Sequence, residues 1–186
     1  MADDTHATLE DLQAGLEHIL RAPKDEGALE WIVRRPAEGE REVLDTATLD
    51  LEDGLAGDGW RARGSKRTAD GSAHPEMQVA IMGARAIELI ARERARWALA
   101  GDQLFVDIDL TADNLPPGTR LSVGSAVLEI TPYPHRGCKK FQARFGSDAI
   151  SFLGSDEENA LRLRGVYSKV IVPGSIRRGD VVRKIL

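Results

Sequence analysis

Glycine and proline cut this chain into short apolar runs. There are 18 Gly and 8 Pro, and they separate runs such as Leu104-Phe105-Val106, Leu121 to Val123, Ala126 to Ile130 and Val166 to Ile185. Runs this short, joined by tight turns and interspersed with helical stretches, lack the regular strand-helix alternation of a doubly wound sheet. The pattern favours a β-rich barrel or a β-rich α+β domain, with several helices scattered among the strands. The length of 186 residues suits one domain. Residues 1–50 read as a helical, acidic leader packed on a barrel domain of residues 51–186. No apolar run approaches the roughly 20 residues that span a bilayer. The acidic start Met1-Ala2-Asp3-Asp4 does not resemble a secretory signal, so a cytoplasmic location is expected.

Along the chain, Leu9, Leu12, Leu16, Ile19 and Leu20 share a helical face behind a Thr8 cap, and Pro23 ends that helix. Trp31-Ile32-Val33 reads as a strand stopping near Pro36. Glu38 to Asp53 alternates weakly. Gly54 to Trp60 reads as a glycine-rich turn, and Arg61 to His74 as an exposed loop. Pro75 opens an expected helix in which Val79, Met82, Ala86, Leu89 and Ile90 keep helical spacing, closed by Gly101. Strands are expected over Leu104 to Leu110, on both sides of Gly124, and from Val166 to Ile185 with turns at Pro173-Gly174 and Gly179-Asp180. Residues 147–162 read as helix, weakly interrupted at Gly154.

The net charge of −5 is unevenly spread. Residues 1–60 hold 16 Asp+Glu and 5 Lys+Arg; residues 61–186 hold 14 and 20, a net of −11 followed by +6. An acidic entry and a basic remainder point to an anion-binding region in the later part, or simply to segregated surface charge. Residues 162–186 carry seven Lys+Arg against Asp180, as a small nucleic-acid-binding barrel would. A pI near 5.4 and 5% aromatic residues argue against nucleic acid as partner.

Cys138 is the one cysteine, which excludes an internal disulfide and a cysteine-rich zinc site. It lies in Pro134-His135-Arg136-Gly137-Cys138-Lys139-Lys140-Phe141-Gln142-Ala143-Arg144, a window with four cations and no carboxylate. Cations favour the thiolate, the form that attacks electrophiles and binds metals. Such a thiolate could attack a substrate, carry sulfur as a persulfide, or ligate a metal whose other ligands come from a cofactor. His135, three residues away, is the candidate assistant; a solvent-facing turn residue is its plainer reading. Arg61, Arg63, Lys66 and Arg67 form one further basic group suited to phosphate, and Arg162, Arg164 and Lys169 another. No histidines stand at zinc-site spacing, and Gly57-x-Gly59 is only a fragment of a dinucleotide fingerprint.

Several stretches resemble the MOSC domain, named for the C-terminal domain of molybdenum cofactor sulfurases. They are Gly54-Leu55-x-Gly57-Asp58, Glu76-Met77-Gln78-Val79, Leu115-Pro116-Pro117-Gly118-Thr119-Arg120-Leu121-x-Val123-Gly124-x-Ala126-Val127-Leu128-Glu129, Gly137-Cys138-Lys139-Lys140-Phe141 and Leu163-Arg164-Gly165-Val166-Tyr167 through Gly174-x-Ile176-x-x-Gly179-Asp180. Their order and spacing run from about 54 to 182, as in short stand-alone bacterial members. The resemblance implies a MOSC-type β-barrel, a molybdenum-pterin cofactor (molybdopterin) and a cysteine, here Cys138, that binds the metal or carries sulfur to it. It implies a reductase of N-hydroxylated or N-oxygenated small molecules fed by a separate electron-donor protein, with sulfur transfer as the alternative. The cofactor's phosphate end would then fall to Lys66, Arg67, Arg136, Lys139, Lys140, Arg144 and Arg164, with Cys138 and His135 nearest the chemistry. Gly137 departs from the Pro or Arg that often precedes the family's cysteine. No Schiff-base lysine is marked, so pyridoxal phosphate is not expected. Whether the chain forms a homodimer is left open.

Overall fold

The structure is a computed structural model that describes residues 6–155 and 159–185. Seven strands close into a barrel. They are β1 (Glu26–Arg34), β5 (Val79–Gly83), β6 (Leu104–Asp107), β7 (Arg120–Val123), β8 (Ala126–Ile130), β9 (Val166–Val172) and β11 (Val181–Ile185). Hydrogen bonding runs β11-β7-β8-β9-β5-β6-β1, and β1 pairs back onto β11. Strand β2 (Glu42–Leu44) extends one end of β1. Closure leaves few free edges, which keeps backbone groups from templating aggregation. Among the described residues no helix is long and apolar enough to cross a membrane.

The barrel is mixed because β5 and β6 are parallel. A parallel pair needs a crossover of a dozen or more residues. Here it is α4 (Ala84–Ala91) followed by a 3-10 helix, Arg94–Ala100. The helix expected from Pro75 to Gly101 is thereby corrected. Pro75–Met77 is one 3-10 turn, and Val79–Gly83 is a strand. Val79 and Ile81 face the barrel interior while Met82 faces the helical layer. With both faces buried, the stretch loses the polar-apolar alternation that marks a strand, and its apolar residues mimic helical spacing.

Strand β1 shows a related effect. Leu29 and Ile32 both enter the barrel core although they are three residues apart. A bulge between Leu29 and Trp31 shifts the register and makes this possible. Strand β1 lies within residues 1–50, so that segment divides. Its early part is α1 (Leu9–Ala14) and α2 (Leu16–Leu20), packed outside the barrel, and its later part supplies barrel strands. The Thr8 cap is present, accepting a hydrogen bond from Asp11 N at 3.2 Å, and Gly15 separates the two helices.

Gly124 and Ser125 form the two-residue turn between β7 and β8. Gly124 has φ +53, and a Cβ there would sit 2.2 Å from Ser175 O, so only glycine fits. A second, three-stranded sheet joins β3 (Thr46–Asp50) to β4 (Gly54–Leu55) and β10 (Gly174–Arg177). Its Leu49, Leu55 and Ile176 complete the barrel core.

A second core lies outside. Val33, Met82 and Phe105 point outward from the strands and pack with Leu12, Ile87, Trp97, Phe141, Phe145 and Phe152. Burial of each large side chain is worth about 1.5–3 kcal/mol. These residues hold α5 (Lys139–Phe145) and α6 (Ser147–Gly154) against the barrel. The expected helix 147–162 stops at Gly154, residues 156–158 of it lie outside the described residues, and 159–162 are not helical. Inside the barrel, Ser168 is fully buried and donates to Val79 O at 3.1 Å. Ser168→Ala is expected to lower stability by about 1 kcal/mol in urea unfolding, and no change would show the bond to be idle.

Candidate functional site

Four successive carbonyls close the 3-10 helix Arg94–Ala100, and each accepts from a different arginine. Ala98 O takes Arg41 Nε at 3.1 Å, Leu99 O takes Arg144 at 2.7 Å, Ala100 O takes Arg164 at 3.0 Å, and Gly101 O takes Arg35. Helix ends leave carbonyls without partners, and they carry partial negative charge, so cations gather there. Four arginines from three separate parts of the chain are drawn together in this way. Burial first, and then the Arg144, Arg35 and Arg63 guanidiniums, push Arg41 below its usual pKa.

This crowd lines one side of an open cleft of about 1380 Å³. Nine Lys and Arg line the cleft and one carboxylate, Glu38, which pairs with Lys140 at 2.9 Å. Arg35 is neutralised by Asp58, through Nε at 3.0 Å and Nη2 at 3.0 Å. Burial would raise Asp58, but the hydrogen bonds and charge of Arg35 outweigh it and hold the carboxyl below its ordinary range. Among the described residues, Arg41, Lys66, Arg67, Arg136 and Arg144 line the cleft without a carboxylate partner. The sequence's charge asymmetry is otherwise largely cancelled in space, by exposed pairs such as Glu30 with Arg94, Asp11 with Arg92 and Glu26 with Arg183. Such pairs are worth about 0–1 kcal/mol each. The cleft is where positive charge is left over.

Cys138 is exposed in the cleft wall at the start of α5. Lys66, Arg67, Arg136, Lys140, Arg144 and Arg164 line the same cleft; Lys139 does not. Arg67 bonds Tyr133 Oη at 2.8 Å and stands 5.3 Å from its ring centroid. Arg164 is different in kind. It is 6% exposed, donates to Asp102 Oδ2 at 2.6 Å, and stacks over Phe141 at 4.7 Å. Most of its donors are spent on the protein.

His135 is buried, against its reading as a solvent-facing turn residue; it is 6% exposed. Its Nε2 donates to Asp102 Oδ1 at 2.8 Å, and its ring stacks on Tyr167 with centroids 4.2 Å apart. Burial, then the Arg164 charge, lowers its pKa to about 4 despite the opposing pull of Asp102, so the imidazole is neutral near pH 7. Burial would raise Asp102, but Arg164 and His135 hold it below its ordinary range. Tyr167 is pushed up to about 12, chiefly by burial.

Sequence reasoning missed Arg35, Arg41, Asp58 and Asp102 as parts of this site, whereas Arg63, placed in a phosphate-suited basic group, does line the cleft. Asp58 alone carried a signal, as the end of Gly54-Leu55-x-Gly57-Asp58. The described residues contain no group of three His, Cys, Asp or Glu able to hold a metal.

The sequence model of the MOSC domain matches residues 68–183. The chain belongs to the MOSC domain family. Among solved structures it is similar to the YuaD protein from Bacillus subtilis, at 19% identity and TM-score 0.61, covering 84% of this chain and 94% of that one. It is also similar to YiiM from Escherichia coli, at 20% identity and TM-score 0.54, covering 86% and 70%. Both likenesses establish the MOSC fold. No curated protein matches the sequence.

Proposed function

We propose that the cationic cleft of this MOSC domain holds a molybdenum-pterin cofactor with Cys138 as the protein's ligand to the metal. The loaded protein would reduce N-oxygenated small molecules. The observation that carries this reading is an exposed thiol in the wall of a cleft with nine cations and one carboxylate. One soft ligand plus surplus cations fits an anionic cofactor that brings its own donor atoms.

The cofactor, when bound, supplies two-electron and oxygen-atom chemistry. Removing oxygen from an N-hydroxyl group consumes two electrons and two protons and releases water. A separate donor protein supplies the electrons and the open cleft admits the protons. Arg41 and Arg144, fixed by the Ala98 and Leu99 carbonyls respectively, keep further N–H groups for a phosphate. Arg67 and Lys66 offer a second cationic margin beside Tyr133. His135, neutral and tied to Asp102, adds no charge to the wall.

The test is metal and pterin analysis of protein from a cofactor-competent host, wild type beside Cys138→Ser. Molybdenum near one atom per chain is expected in the wild type. In Cys138→Ser it should fall at least about tenfold, the loss of about 1.4 kcal/mol or more of binding. Molybdenum unchanged by the substitution would sink the ligation claim. A metal-free protein with an added mass of about 32 Da on the Cys138 peptide would favour a persulfide carrier instead.

A further inference from the structure

The segment between Thr131 and α5 is tied at few points: Tyr133 Oη accepts from Arg67 at 2.8 Å, Cys138 O accepts from Gln142 N at 3.0 Å, and His135 is held between them. Residues 132–138 donate no backbone hydrogen bond to another described backbone group, and Pro132 and Pro134 have no N–H to give. Pro132, Pro134, Arg136, Gly137 and Cys138 are exposed, and Tyr133 is half-buried. His135 is the one buried residue between Thr131 and Phe141. It is joined to a rigid partner: Asp102 is fully buried, immediately follows the arginine-capped carbonyls, and is gripped by Arg164 at 2.6 Å. Arg164 in turn reaches Ala100 O at 3.0 Å and stacks on Phe141 of α5.

We infer that His135 is a positioning residue whose hydrogen bond to Asp102 pins the segment carrying Cys138 and so places the thiol against the arginine-lined side of the cleft. The inference rests on the reading of Cys138 as the reactive thiol of that cleft. A carboxylate can only accept, so the neutral imidazole must keep its proton on Nε2 to hold this bond. The Tyr167 stack fixes the ring plane. The thiol, three residues on, then lines the cleft together with Arg41, which comes from a distant part of the chain and adds to the field of its sequence neighbours Arg136, Lys140 and Arg144. Release of His135 would free Arg136 and Gly137 and let the thiol turn about the start of α5, away from Arg41.

Thiol alkylation reads this placement on cofactor-free full-length protein. Positive potential speeds an anionic reagent more than a neutral one. The measured quantity is the ratio of Cys138 rate constants with iodoacetate and with iodoacetamide. His135→Phe keeps the stack but has no donor, and the ratio should fall at least threefold. His135→Gln retains an N–H for Asp102 and should stay within twofold of wild type. Val182→Ala, a core truncation in β11, which pairs with β7 and β1 and not with β8 or β9, should leave the ratio unchanged and so separates placement from general loosening. A wild-type ratio in His135→Phe, or an equal fall in Val182→Ala, overturns the inference. Because no metal is involved, failure to find molybdenum leaves this readout intact, and an unchanged ratio leaves the molybdenum test intact.

Discussion

Asp102→Ala is expected to cost about 3–5 kcal/mol of stability, a large share of what a domain of this size has. Asp102 is fully buried between two partners. Its loss leaves the Arg164 guanidinium, 6% exposed, without a counter-charge, and its Nε already has no hydrogen-bond partner among the described residues. His135 Nε2 loses its acceptor as well. Removing one member of a buried pair is costly because the other charge stays behind; replacing both by apolar groups is often close to neutral. The double variant Asp102→Ala/Arg164→Met, with methionine against Met82 and Phe141, should therefore recover much of the loss. Urea unfolding of the two variants tests both statements. A single-variant cost below about 1 kcal/mol would mean that the network does not matter to the fold.

Acid should destabilise the protein through His135. Its folded pKa of about 4 lies below the ordinary 6.5. Between those values the unfolded chain takes up a proton that the folded chain refuses. Stability is therefore full above about pH 6.5 and falls as the pH drops toward 4, by up to about 3 kcal/mol. Asp102 acts in the same direction at lower pH. Its folded pKa is depressed, so its contribution is present above the unfolded value and is lost as pH falls through the folded one. Urea titrations at pH 7, 5.5 and 4.5 should show a shallower decline for His135→Gln than for wild type. Identical pH slopes would mean that His135 is not the group responsible.

Cys138 was legible because thiol, cations and turn residues are contiguous from Pro134 to Arg144, and charge acts over such short distances whatever the fold. The hairpin at Gly124 was legible for a similar local reason, since short apolar runs flank a glycine that takes a positive φ without strain. Strand β5 was misread as helix because burial on both faces erases the two-residue period. Helix α5 was not foreseen, because a cation-rich stretch after glycine reads as loop until Phe141 and Phe145 find the outer core.

Composition, turn residues and short apolar runs were enough to favour a β-rich barrel or an α+β domain and to single out one thiol in a basic setting. The arginine cluster and the buried state of His135 were not readable in this way. Arg35 and Arg41 lie in the acidic third of the sequence, and they meet Arg144 and Arg164 only because carbonyls 98–101 end a helix beside all four. Asp102 looked like any surface acid until the crossover between β5 and β6 buried it under His135. Local pattern reports what a residue can do, whereas burial and partner choice depend on contacts tens of residues away, which exist only once the barrel has closed.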